Sequence, residues 1–215
     1  DEDADAERSD LIRGRLLWTP SAVPALRVLA TYAHTDSRFG DDAVRTDVPD
    51  FADNRLANNN GPIERRNVTD IGTVEATARL FPWLSVTGLT SYNRVDFNLD
   101  FDIDRGPQTL SYGLDNERSE TFSQELRLNL ETDRVTGVLG LYRANIDYRT
   151  LFSNRTVVPT PEASLVGVLV GRGVPLNTAR MAAAAYVQAL PIIPVDNTQD
   201  TPEETSNLAL FADGR

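Results

Sequence analysis

Side chains that could act on a substrate or hold a metal ion are scarce in this sequence. His34 is the only histidine and cysteine is absent, which leaves neither a multi-histidine metal site nor a thiolate ligand or nucleophile. No Gly-x-Ser-x-Gly segment marks a serine nucleophile. We therefore predict that the chain is not an enzyme and has no catalytic residue, no metal centre and no cofactor, and we interpret His34 as a surface or interface residue.

The acids Asp100, Asp102 and Asp104 have the spacing of the first ligands of a calcium loop. Arg105 then stands where that loop requires glycine, and Ser111 stands where it requires glutamate. The pattern favours the solvated face of a strand. Calcium held in a different geometry is the alternative.

Two other segments have features of anion sites. Gly171-Arg172-Gly173 lacks the Gly and Lys that complete a phosphate loop, so we interpret it as a flexible loop. Arg65, Arg66 and Arg105 lie in or beside long polar links. Solvated side chains are the simpler interpretation, and contact with an anionic ligand is the alternative.

The composition excludes some partners. The chain has 215 residues, with 32 acidic against 21 basic side chains and a formal net charge of -11, which argues against nucleic acid as a partner. No apolar run is long enough for a membrane helix, and the acidic start of the chain is not a signal peptide. The most apolar stretch, 163–193, should pack on a rim, a neighbouring loop or a ligand.

Apolar and polar residues alternate through most of the chain, which is typical of strands with one apolar and one polar face. About seven long strands are predicted, at residues 11–18, 26–35, 68–80, 84–104, 122–130, 135–152 and from 206 onward. In the fourth strand the apolar positions are even-numbered at Leu84, Val86 and Tyr92 but odd-numbered from Val95. This change of phase predicts a β-bulge at about residues 91–94.

The links between these strands alternate in length. Residues 19–24, 81–83 and 131–134 form short links, whereas residues 36–66, 105–118 and 153–204 form long ones, the last with a short helix at 177–190. In an up-and-down sheet alternate links lie at opposite ends, so all short turns fall at one end. This asymmetry is typical of antiparallel transmembrane β-barrels.

Aromatic residues near the strand ends fit girdles at the two lipid interfaces, and the acids of 95–104 would then face the lumen or the space above it. The candidate girdle residues are Trp18, Tyr32, Trp83, Tyr92 and Tyr142.

Four segments resemble the barrel portion of TonB-dependent outer-membrane receptors: RGRLLWTPS at 13–21, SQELRLN at 123–129, VLGLYR at 138–143 and NLALFADGR at 207–215. The resemblance implies a 22-stranded barrel around a plug domain, which takes up a scarce nutrient such as a ferric siderophore, cobalamin or a saccharide. It also implies outer-membrane lipid and a small nutrient as partners, with TonB reached only through the plug.

The sequence departs from that family in lacking a plug, a TonB-contacting segment and a closing strand. The chain is therefore expected to be an internal fragment, with residues 1–215 forming part of a single barrel domain. A soluble or secreted β-sandwich that binds a carbohydrate or a protein is the alternative, because alternating strands alone also permit that fold. Strand length and the one-sided distribution of long links favour the barrel.

Overall fold

The computed structural model describes residues 7–40, 64–103 and 111–215, and in them it has one seven-stranded antiparallel sheet in which each strand pairs with the next. The predicted all-β, up-and-down fold, an incomplete barrel segment, is confirmed. The expectations for the acidic start, for most of link 36–66, and for Asp104 and Arg105 lie outside the described residues. The elements are β1 Glu7–Trp18, β2 Leu26–Phe39, β3 Arg65–Phe81, β4 Leu84–Asp102, β5 Tyr112–Glu131, β6 Thr136–Pro159, α1 Glu162–Gly171, α2 Leu176–Ala189 and β7 Ile192–Gly214.

The strands have 12, 14, 17, 19, 20, 24 and 23 residues from β1 to β7, and all except β4 are longer than predicted. The prediction of a single link over 153–204 is wrong, because residues 153–159 pair with residues 192–198 and the ladder continues from there. Parts of the predicted links 36–66 and 105–118 likewise belong to strands. Most residues in these extensions are polar, and apolar ones such as Val157 and Val158 or Ile192 and Ile193 are adjacent in sequence, so the alternation that reveals a strand is missing.

The predicted bulge at residues 91–94 is also wrong. β4 pairs with β5 in one uninterrupted register from Leu84 to Asp102, and the only shift in the β3–β4 ladder lies between Arg79 and Phe81. Tyr92 and the even-numbered acids above it therefore share a face with Leu84. In the lower part of β4 the apolar residues lie on the face of Leu84, and from Val95 onward they lie on the other face. The strand itself is regular, so it is the surroundings of each face that change along its length.

The two faces of the sheet differ in exposure as well as polarity. On β5, Phe122, Leu126 and Leu128 are 43%, 49% and 39% exposed, whereas the intervening Ser123, Glu125 and Arg127 are half-buried. We call the side that carries Leu126 and Leu128 the band face, and the other the opposite face. Side chains crowd together on the opposite face, as they do on the inside of a curved sheet.

The last long link contains two helices where one was predicted. α2 begins at Leu176 after Pro175, so Asn177 lies in the first turn and does not cap the helix. α1 was missed because Val and Gly, which are poor helix formers, recur through it. The segment Gly171-Arg172-Gly173 forms the turn between the helices, where Gly173 adopts a left-handed φ of 88°.

The apolar stretch 163–193 thus forms mainly a helical hairpin that packs on itself. Ala179 and Ala183 of α2 are buried, at 0% and 1% exposure. With 10 and 14 residues, neither α1 nor α2 is long enough to cross a membrane, and the described residues contain no other helix.

Aromatic rings cover two strand glycines on the opposite face. A Cβ on Gly140 would collide with the ring of Phe211, its cross-strand partner, whereas a Cβ on Gly72 would meet nothing within 4 Å. Gly140→Val should therefore lower the free energy of unfolding by about 1–2 kcal/mol, because the ring must move. Gly72→Val should leave it unchanged or raise it through β-propensity, by up to about 1 kcal/mol. Urea titrations of both variants test this difference, and equal effects would contradict it.

Candidate functional site

An exposed apolar band crosses all seven strands on the band face. Cross-strand partners point to the same side of a sheet, so the register places its side chains in continuous rows. On β5 the band extends from Phe122 to Leu130, about 27 Å along an extended strand. Members of the band are Ile12, Leu16, Val28, Ala30, Val74, Ala76, Leu84, Val86, Leu126, Leu128, Leu139, Leu141, Leu208 and Leu210.

Aromatic residues border this band at both ends. At the end with the short turns, Trp18 is 54% exposed, and Phe81 stacks on Trp83 with ring centroids 5.2 Å apart. At the other end Tyr32, Tyr92 and Phe122 lie in one row of the sheet. The assignment of Tyr142 to a girdle is wrong, because Tyr142 pairs with Glu125 on the opposite face.

Beyond the upper aromatic row the band face becomes charged and ion-paired. Arg66 donates from Nε and Nη2 to the two carboxylate oxygens of Asp36, at 2.9 and 2.7 Å. This pair lowers the pKa of Asp36, because the bound guanidinium stabilises the carboxylate. The other ion pairs of this zone are Arg94–Asp96, Arg118–Glu120, Arg149–Asp200 and Arg155–Asp196.

His34 lies at the lower border of this charged zone. Its Nδ1 is 2.8 Å from Oδ1 of Asp70, the residue directly across the β2–β3 ladder. The hydroxyl of Tyr32 donates to the same oxygen at 2.5 Å. The three side chains form a half-exposed polar cluster just above the apolar band.

The other charged residues named from the sequence lie apart from one another. Arg66 is ion-paired, Arg65 lies on the opposite face, and the loop position Arg105 is outside the described residues. Asp100 and Asp102 lie on the band face at the upper end of β4, and Asp102 is buried. Within the described ranges, no three acidic or histidine side chains converge on a point where a metal ion would bind.

The opposite face carries an aromatic cluster near its upper end, between β4 and β6. The rings of Phe101 and Phe152 lie 6.1 Å apart, and Phe101 covers Gly113, at which a Cβ would collide with its ring. Asp115 stands between Leu99 and Phe152 in the register. We call these five residues the mouth cluster, because they lie at the end of the sheet with the long links.

Polar atoms beside the mouth cluster lack partners. Oδ1 of Asp115 and Oδ1 of Asn154, the cross-strand partner of Gly113, are buried without a hydrogen bond. The Oδ1 atoms of Asn67 and Asn93 on the same face also lack partners, but they lie lower on the sheet, opposite Phe97 and Thr121. Burial raises the pKa of Asp115, and the nearby Glu117 carboxylate raises it further. Rings beside unpaired acceptors suit contact with a ligand that has apolar surface and hydrogen-bond donors.

Asp115→Asn should make the fold more stable at neutral pH. Because the pKa is raised in the folded state, the native chain keeps a proton that the unfolded chain has lost, and unfolding becomes easier as pH rises through that window. The window opens near pH 4, the ordinary carboxyl value. Urea titrations at pH 4 and 7 should show a gain for the variant at pH 7 that shrinks at pH 4.

Glu117→Gln provides the control for this pH effect. It removes only the smaller cause of the raised pKa, so its gain should be smaller and of the same sign. A gain equal at both pH values would contradict the electrostatic explanation.

Prolines prevent the pairing of a further strand along only one part of the free edge of β7. Thr136 and Arg215 exchange two backbone hydrogen bonds, so odd-numbered residues of β7 bond to β6 and even-numbered residues point away from it. Pro194 and Pro202 are even-numbered, and neither has an N–H to offer an additional strand. From Glu204 to Gly214, at the height of the band, the edge contains no proline and is free to pair.

Sequence reasoning missed the mouth cluster, although its residues were visible. The odd-numbered run Val95, Phe97, Leu99 and Phe101 was the available signal, but Asp115 and Phe152 join it only through the register of three strands. No protein-family model matches the chain, and no curated protein matches it.

Proposed function

We propose that the chain is part of the wall of a transmembrane β-barrel, from a TonB-dependent outer-membrane receptor that takes part in the uptake of a scarce nutrient. The band face contacts lipid and the opposite face lines the lumen. The mouth cluster is the part of the lumen best suited to touch the nutrient. The receptor family and the nutrient are inferred from the resemblance of the sequence segments.

The observation that carries the proposal is the band itself. Leu208 and Leu210 are 74% and 79% exposed, and apolar rows of this extent on the surface of a soluble domain would promote aggregation. The length of the band along β5 is comparable to the apolar belt of outer-membrane barrels, about 25 Å tall. In this arrangement the acids of β4 face outward above the lipid, and of the two expected positions, the lumen or the space above it, the proposal favours the second.

The strand directions also support additional barrel strands. β1 and β7 run in the same direction because five strands, an odd number, lie between them in this antiparallel sheet. They therefore cannot join each other antiparallel, and closure requires an odd number of further strands. The proline-free part of β7 offers a pairing edge at the height of the lipid, where an unpaired edge would be most costly.

A β-sandwich that binds a carbohydrate or protein is the second candidate. In that fold the apolar face of one sheet is covered by another sheet. All seven strands in the described ranges belong to one sheet, and none of them covers the band. This arrangement favours the membrane wall.

Tryptophan fluorescence tests the proposal directly, because Trp18 and Trp83 are the only tryptophans and both border the band at the short-turn end. The chain is refolded with vesicles whose lipids carry bromine at different depths. Bromine near the headgroup should quench the emission more than bromine at the bilayer centre.

Each outcome of the quenching experiment has a clear meaning. Quenching that is strongest near the headgroups, with Trp18→Phe and Trp83→Phe each removing part of it, supports a spanning sheet. Emission that no brominated lipid quenches, from a chain that stays folded in the aqueous phase, would favour the sandwich.

A further inference from the structure

Arg143 is an unpaired cation within the apolar band. The register places it on the band face between Gln124 of β5 and Leu208 of β7, one row below the upper border at Phe122. The side chain is exposed and forms no ion pair or side-chain hydrogen bond with any described residue. The other arginines that the described strands place on this face, such as Arg94, Arg118 and Arg149, all pair with carboxylates.

An arginine in this position needs an anion that the neighbouring strands do not supply. On its own strand the nearest carboxylate of the same face is Asp147, four residues higher, about 13 Å along the chain. A side chain near the edge of a bilayer extends its charged end toward the headgroups. The guanidinium of Arg143 thus reaches the height at which lipid phosphates lie.

The surface below Arg143 has room for an acyl chain. A depression of about 540 Å³ lies beside it, and its lining includes Leu126, Leu141, Leu208 and Gly88 as well as the polar Thr90, Gln124 and Glu125. A Cβ on Gly88 would meet nothing within 4 Å, so the absence of a side chain there leaves the depression open.

We propose that Arg143 and this depression form a binding site for a membrane lipid that carries a phosphate. The phosphate pairs with the guanidinium, and one acyl chain lies over Gly88. The leucines of the depression select a lipid over free phosphate, because inorganic phosphate gains nothing from contact with them. This inference rests on the proposed function, since it requires the band face to contact a bilayer.

Native mass spectrometry of the full chain in mild detergent tests the site. The probes are dimyristoyl phosphatidic acid, dimyristoylglycerol, which lacks the phosphate, and inorganic phosphate. The wild type should bind phosphatidic acid about tenfold more tightly than the diacylglycerol, the size expected for charge-assisted hydrogen bonds. Arg143→Gln should abolish that preference, and Gly88→Leu should weaken binding of both lipids.

Arg15→Gln is the matched control, because Arg15 is an exposed arginine on the opposite face that also has no ion pair among the described residues. It should retain the preference for phosphatidic acid. An unchanged preference in Arg143→Gln, an equal loss in Arg15→Gln, or displacement of the lipid by inorganic phosphate would each overturn the site. A chain that inserts into vesicles without an Arg143-dependent preference rejects only this inference, whereas a chain that associates with no lipid rejects the proposed function as well.

Discussion

Leu126→Arg should prevent stable assembly of the sheet in a lipid bilayer. Leu126 occupies the central row of the apolar band on β5 and is 49% exposed on the band face. If that face contacts lipid, a guanidinium at mid-depth costs about 2–4 kcal/mol. A penalty of this size is a large fraction of the stability of an ordinary domain. The folded fraction in phosphatidylcholine vesicles, measured by urea titration of tryptophan fluorescence, should fall sharply.

The same substitution on the other face provides the control. Leu89 lies at nearly the same height on β4, but on the opposite face, between Glu75 and Glu125 in the register. A guanidinium introduced by Leu89→Arg would stand between two carboxylates and in water, so the vesicle-bound fold should lose little stability. Equal losses in the two variants would show that the faces do not differ in their surroundings and would contradict the membrane assignment.

Ala183→Glu should open the helical hairpin while leaving the sheet intact. Ala183 is 1% exposed in the contact between α2 and α1, and the one cationic residue of the two helices, Arg180, is exposed outside that contact. Burial of an unpaired charge costs several kcal/mol, more than a two-helix contact of small residues supplies. Amides of residues 162–189 should exchange hydrogen much faster, with protection of β3 to β5 unchanged.

Ala184→Glu separates the effect of burial from that of helix propensity. Ala184 is the next residue of α2 and is exposed, so its substitution changes composition and charge equally without placing the carboxylate in the contact. Its exchange pattern should match that of the wild type. Fast exchange in both variants would mean that the packing of Ala183 does not stabilise the hairpin.

Sequence patterns located all seven strands and the order of short and long links, because each strand has a stretch in which one face is apolar. The tight Pro82-Trp83 turn was found for the same reason, since strongly patterned strands flank it. Strand ends were underestimated wherever apolar and polar residues do not alternate. In β7, Thr198, Gln199 and Thr201 show no alternation, yet they continue the ladder with β6.

The surfaces were harder to predict than the strands. The alternation of Val95 to Phe101 was visible, but without the register it suggested a bulge, whereas in the structure it supplies an apolar patch on the opposite face. The isolation of Arg143 was also hidden, because an arginine is unpaired only in relation to residues on other strands. Such properties come from cross-strand neighbours, which one sequence does not specify.

The nearest-neighbour order of the strands has a consequence for how the sheet is built. Every ladder joins segments that follow one another in the chain, so each added strand needs only the edge of the one before it. Closing the two-residue link at Pro82-Trp83 costs little chain entropy, whereas docking β7 must close a loop that contains both helices. We therefore expect β3 and β4 to pair early and β7 to pair last. Pulse-labelled hydrogen exchange during refolding would reveal this order.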